Sequence, residues 1–237
     1  MKKLLAGGLL VAGMFLLTWA HGADEKSEDP ARAALQELNE FVGSWKGAGG
    51  PDKAKFDAKE GWSEKIAWGW RFKKSDPCLV MEIKDGKHLK SGELRYLPDK
   101  KVYQLTTLDK KDEKKVFEGQ YKKGYLEMDR VDPKTKETQR ITMNSAGDGI
   151  RFIYRYSTKA EGSTIFVREY KVESSKEGES LGKADKKNEC VLTGGLGTIA
   201  VSHKGQTYYV CCTGCRDEFN DNPDKVIKEY LARKGKK

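Results

Sequence analysis

The sequence predicts a mainly β protein: an antiparallel β-barrel followed by a small C-terminal α+β module rich in cysteine. Three observations carry that prediction. Apolar residues alternate with period two from about residue 41 to residue 172, in short runs separated by turn dipeptides. No helical stretch in that span is long enough to serve as a crossover, so neighbouring runs pair antiparallel. Four of the five cysteines, Cys190, Cys211, Cys212 and Cys215, lie in the last 48 residues.

Met1-Lys2-Lys3 and the 14-residue apolar run Leu4 to Leu17 precede small residues at Ala20 and Gly22. This is the layout of a secretory signal peptide, residues 1–22. The run is short for a bilayer span, and no later one is longer, so no integral membrane segment is expected in the mature chain. The implied place is secreted or periplasmic, in a bacterial cell envelope, where disulfides are permitted.

Asp29-Pro30 starts a helix over about 31–40, with Leu35, Leu38, Phe41 and Val42 on one face. Ten strand candidates follow: 41–48, 61–73, 78–84, 89–97, 101–108, 114–121, 124–130, 136–144, 148–157 and 164–173. Asp85-Gly86, Pro98-Asp99, Lys123-Gly124, Asp148-Gly149 and Glu161-Gly162 are among the turns between them. That many strands close most naturally into a barrel, assigned to 31–173. Residues 174–187 carry a single sizeable apolar side chain, Leu181, and read as a linker to a module over 188–233.

Along 61–73 the even positions Trp62, Glu64, Ile66, Trp68, Trp70 and Phe72 face one way, and polar or small residues including Ala67 and Gly69 face the other. Residues 148–157 put Phe152 and Tyr154 on one side, and 164–173 place Phe166, Arg168, Tyr170 and Val172 together. The inner face therefore holds either a dense core with Glu64 and Arg168 as a buried ion pair, or a pocket for an apolar or amphipathic small molecule. The pocket would be lined by Trp68, Trp70, Phe72, Tyr154, Glu64 and Arg168. Cys78 reads as a buried free thiol and His88 as a solvated loop histidine.

Composition narrows the function. Lys+Arg number 45 against Asp+Glu 36, a formal charge of +9 that falls to +7 without Lys2 and Lys3. The two signs are interleaved, which describes a solvated surface rather than a nucleic-acid groove. With three histidines, His21, His88 and His203, a mechanism needing several is excluded. No catalytic constellation is visible, so no enzyme is expected. The basic residues from Lys225 to the C-terminus read as a solvated helix end.

In the C-terminal module, 198–202 and 206–211 form a hairpin turning at His203-Lys204-Gly205. It leads into a helix near Thr213, and Asn222-Pro223 opens a last helix over 223–233. A unit this small needs a staple, and thiols at a hairpin end and a helix N-terminus supply one. Three uses of the cysteines remain open: a metal site, a disulfide (Cys212 with Cys215, or Cys190 with Cys211), or a Cys-x-x-Cys redox pair.

Two resemblances add to this reading. Phe41-Val-Gly-Ser-Trp45 resembles the Gly-x-Trp entry of the lipocalins and the wider calycin group, which implies a small-molecule-binding barrel whose Trp closes one end. Cys190, Gly205-Gln-Thr-Tyr208-Tyr209-Val210, Cys211, Cys215, Phe219 and Asn222-Pro223 resemble the TRASH domain and the related YHS domain, small treble-clef-like metal-binding modules. That resemblance implies Cys190, Cys211 and Cys215 as ligands, with Cys212 a neighbour able to substitute. The departure is Thr193, which stands where a full zinc knuckle has a second Cys. A closed site then needs Cys212, His203 or an outside ligand, and an open three-thiolate site suits Cu(I). The function expected is zinc or copper binding, sensing or delivery, with a metal-handling protein as a further partner. The alternative is a small-molecule carrier in which the cysteine module is a structural staple.

Overall fold

The computed structural model describes residues 29–55, 57–73, 76–178 and 188–235. The signal-peptide assignment and residues 179–187 of the expected linker lie outside them. The chain enters through α1 (Pro30–Gln36), where the Asp29 carboxylate accepts from the Ala31 amide and proline takes the first turn. A 3-10 turn, Asn39–Phe41, then delivers it into the sheet.

Ten strands form a closed antiparallel barrel in sequence order: β1 (Gly43–Pro51), β2 (Trp62–Lys73), β3 (Asp76–Lys84), β4 (Leu89–Leu97), β5 (Val102–Asp109), β6 (Lys114–Lys122), β7 (Tyr125–Val131), β8 (Thr138–Ala146), β9 (Arg151–Lys159) and β10 (Val167–Lys176). Closure comes from β1 pairing with β2 on one side and β10 on the other, so that Trp45 stands opposite both Ile66 and Lys176. Every barrel strand thereby has a partner strand on each side, although the pairing does not run the full length of every strand. Short turns fit this meander because their residues accept a left-handed backbone. Lys123 and Gly124, at φ +53° and +83°, reverse the chain between β6 and β7.

The barrel interior is filled by side chains. Trp45, Trp70, Tyr154, Phe41, Phe117 and Phe152 are fully buried. Phe152 alone packs its ring against Phe41 at 5.1 Å, Trp45 at 5.7 Å and Trp68 at 6.0 Å. Leu35, Leu38 and Phe41 close one end, and the Trp45 indole donates to the Phe41 carbonyl at 2.9 Å, tying the plug to the first strand.

Several expectations about individual side chains need correction. Arg168 does not point inward: the register slips between Arg168 and Tyr170, a bulge that leaves Val167, Arg168 and Glu169 all exposed. Phe166 goes with them, half-buried on the outer surface under the Arg140 guanidinium. A Glu64–Arg168 ion pair, one of the two arrangements the sequence left open, does not form, and Glu64 is instead a hydrogen-bonded carboxyl. Glu64 is buried and accepts from the Trp62 indole and the Tyr154 phenol, each at 2.8 Å. Burial pushes its pKa up. Nor is His88 a solvated histidine. It stacks on Tyr170 with centroids 4.0 Å apart and meets the edge of Trp62, and burial lowers its pKa.

After the barrel come a hairpin, β11 (Ile199–His203) and β12 (Gln206–Val210), and two helices, α2 (Thr213–Asp221) and α3 (Pro223–Gly235). Among the described residues no helix is long and apolar enough to cross a membrane.

Candidate metal centre

The cysteines come together from three local structures. Cys190 opens a tight loop in which its amide donates to the Gly195 carbonyl at 2.7 Å and its carbonyl accepts from the Gly194 amide at 2.9 Å. Gly194, at φ +76°, supplies the left-handed residue that closes the turn. Cys211 follows the last residue of β12, and the Val191 amide, bonded to the Tyr209 carbonyl, lays the Cys190 loop alongside that strand. Cys212 is the extended residue before α2, and Cys215 lies in that helix's first turn. A loop, a strand end and a helix N-terminus thus converge on one point.

Cys190, Cys211 and Cys215 are buried, with sulfurs all within 4.8 Å of one another. Cys211 Sγ lies 3.5 Å from Cys215 Sγ and 4.0 Å from Cys212 Sγ. Two sulfurs held about 2.3 Å from one tetrahedral ion stand about 3.8 Å apart, so these spacings fit a thiolate metal site. A disulfide would need about 2.05 Å, and all five cysteines are free.

The electrostatics agree with a site that exchanges protons for a cation. Hydrogen bonds from Cys211 and Cys215 hold Cys190 and Cys212 well below the usual thiol range, while Cys211 and Cys215 are pushed up as the donors. Cysteines packed together in this way bind a thiophilic ion by losing their thiol protons to solvent. Thr193 sits beside these sulfurs. Its hydroxyl is 3.6 Å from Cys211 Sγ and buried, in position to hydrogen-bond a thiolate.

His203 is not part of this group. Its ring bonds Asp224 at 2.9 Å, and with Lys204, 2.7 Å from the same carboxylate oxygen, it fastens the hairpin turn to the start of α3. Nor is the basic end of α3 simply solvated. Arg233 donates to the Leu192 and Val191 carbonyls, and Lys234 pairs with Glu189 at 3.1 Å, closing the helix over the Cys190 loop.

The module is seated on the barrel rather than merely tethered to it. β1 pairs with β2 only as far as Gly43 opposite Trp68, so residues 69–73 of β2 have β3 on one side and no strand on the other. The start of α2 occupies that open edge. The Trp70 amide donates to Cys212 Sγ at 3.2 Å, and a Cβ built on Gly214 would stand 1.8 Å from the Trp70 carbonyl oxygen. Asn39 donates to the Thr193 carbonyl at 2.8 Å and accepts from the Trp70 indole, and Arg32 donates to the Leu192 carbonyl. A cleft of about 590 Å³ follows the seam past Gly43, Ala67, Gly69 and Glu82 to Cys211 and Cys212. Sequence reasoning missed this seam. The small outward residues Ala67 and Gly69 were its signal, since they leave room for a covering element.

The expected barrel-ligand residues do not assemble into one pocket. Trp68 and Trp70 are packed core, Glu64 and Tyr154 satisfy each other, and Arg168 is outside. Phe72 is half-buried, stacked on Trp70 at 5.4 Å beneath Arg32 of α1.

Compared with known proteins, the chain matches no family model and no curated sequence.

Proposed function

We propose that this is a non-enzymatic metal-binding protein of the cell envelope, which takes up a thiophilic cation, zinc or copper, for sensing or delivery. The observation that carries the reading is the convergence of the buried Cys190, Cys211 and Cys215 sulfurs within 4.8 Å. A thiolate cluster of this spacing has little use in apolar packing, since it gathers groups that repel once ionised and needs a cation to neutralise them. The resemblance to TRASH and YHS modules belongs to the same reading, because it implies these three residues as ligands. The filled barrel supports a scaffold role over that of a small-molecule carrier.

The test is metal content by mass spectrometry, with a free-thiol count, on mature protein purified from the envelope without chelators. Near-stoichiometric zinc or copper in the wild type, absent from the Cys211→Ser/Cys215→Ser variant, is the expected result. A metal-free protein whose thiols are lost to disulfides would end the proposal.

A further inference from the structure

The three mutually close sulfurs leave the fourth cysteine of the module unexplained. Cys212 is buried, 4.0 Å from Cys211 Sγ, and differs from the others in its partner. Its sulfur accepts a hydrogen bond across the seam, from the backbone amide of Trp70 in the barrel. In a protein sheet that amide would ordinarily donate to a neighbouring strand, and here the neighbour is absent because β1 pairs no further than Trp68. An unpaired buried N–H is costly to leave unsatisfied, whereas an N–H aimed at a thiolate both satisfies the amide and stabilises the charge on sulfur.

We infer that Cys212 is the fourth sulfur donor of the centre and that the barrel completes the site, so that loading the cation and seating the module on β2 are one linked event. This rests on the metal-binding reading and adds to it a ligand set and a means of signalling. Three features of the seam support it. Gly69 leaves its outward face free, and a Cβ there would lie 3.8 Å from Cys212 Sγ. Gly214 brings the first turn of α2 into backbone contact with Trp70, which no larger residue permits. Cys211 and Cys212 are each 8% exposed beside the cleft while Cys190 and Cys215 are fully covered, so the seam side is where an ion enters and leaves. By reciprocity, whatever the docked barrel adds to cation affinity, the cation adds to docking. A metal-dependent change in how firmly the module sits would then be readable by a partner protein at the cleft.

The experiment uses the reduced full mature chain and Cd(II) as the probe. Thiolate-to-metal charge-transfer absorbance per bound ion counts the sulfurs, and hydrogen exchange at the Trp70 amide reports the seam. The wild type should show a band about one third stronger than Cys212→Ser, as four thiolates against three, and Cd(II) should slow Trp70 exchange in the wild type alone. A Gly214→Ala variant keeps all four cysteines but blocks seating, and it should bind Cd(II) at least tenfold more weakly than the wild type. An equal band in Cys212→Ser, Trp70 exchange indifferent to Cd(II), or unchanged affinity in Gly214→Ala would each overturn the inference. No charge-transfer band in the wild type would instead remove the metal-binding reading beneath it.

Discussion

The Tyr154 phenol donates to Glu64 Oε1 at 2.8 Å inside the barrel, and burial raises the pKa of both groups. A carboxyl whose folded pKa lies above its unfolded value favours the protonated native state. Its contribution to stability is full below the unfolded pKa of about 4.3 and is lost as pH rises through the folded value. The difference in unfolding free energy between wild type and Glu64→Gln should therefore shift in favour of the variant as pH rises from 4 toward neutrality. Urea titrations at several pH values check this, and a pH-independent difference would mean that Glu64 is not penalised by its burial.

The Thr193 hydroxyl lies 3.6 Å from Cys211 Sγ. A hydrogen bond to a metal-bound thiolate tunes affinity from outside the ligand set, typically by 10–100-fold. Thr193→Val should keep the fold and lower Cd(II) affinity by about tenfold, as measured by chelator competition. Undiminished affinity would place the hydroxyl outside the site's energetics.

Trp45 joins the plug at the barrel end to β1, with its indole bonded to Phe41 and the Lys176 ammonium 5.1 Å above its ring. Trp45→Ala should cost about 3–5 kcal/mol by leaving a large buried cavity, seen as a lowered urea midpoint. A cost below about 1 kcal/mol would show that the plug is not anchored there.

The bulge at Arg168–Tyr170 makes a contrasting claim. Arg168 is exposed, so Arg168→Ala should change unfolding free energy by no more than about 0.5 kcal/mol. A loss of several kcal/mol would mean that the guanidinium is buried after all.

The sequence by itself determined the strands, because side-chain alternation is a local property: every residue on the inner face of β2 from Glu64 to Trp70 could be read from period two. It determined the hairpin and both C-terminal helices as well, since Lys204-Gly205 and Asn222-Pro223 are local punctuation. It also singled out the cysteines, whose scarcity elsewhere made their clustering visible.

Only the tertiary structure decided what lies at right angles to the chain. The bulge that turned Arg168 outward depends on pairing with β9, and no periodicity within one strand reports a slip against its neighbour. His88 became part of an aromatic stack because the turn between β3 and β4 comes to lie against Tyr170, far away in the chain. The seam that sets Cys212 against the Trp70 amide joins residues 142 apart through a backbone N–H, a group every residue but proline carries. The sequence could mark the thiol, but the partner that gives it a role is written only where β1 stops pairing and leaves the edge of β2 open.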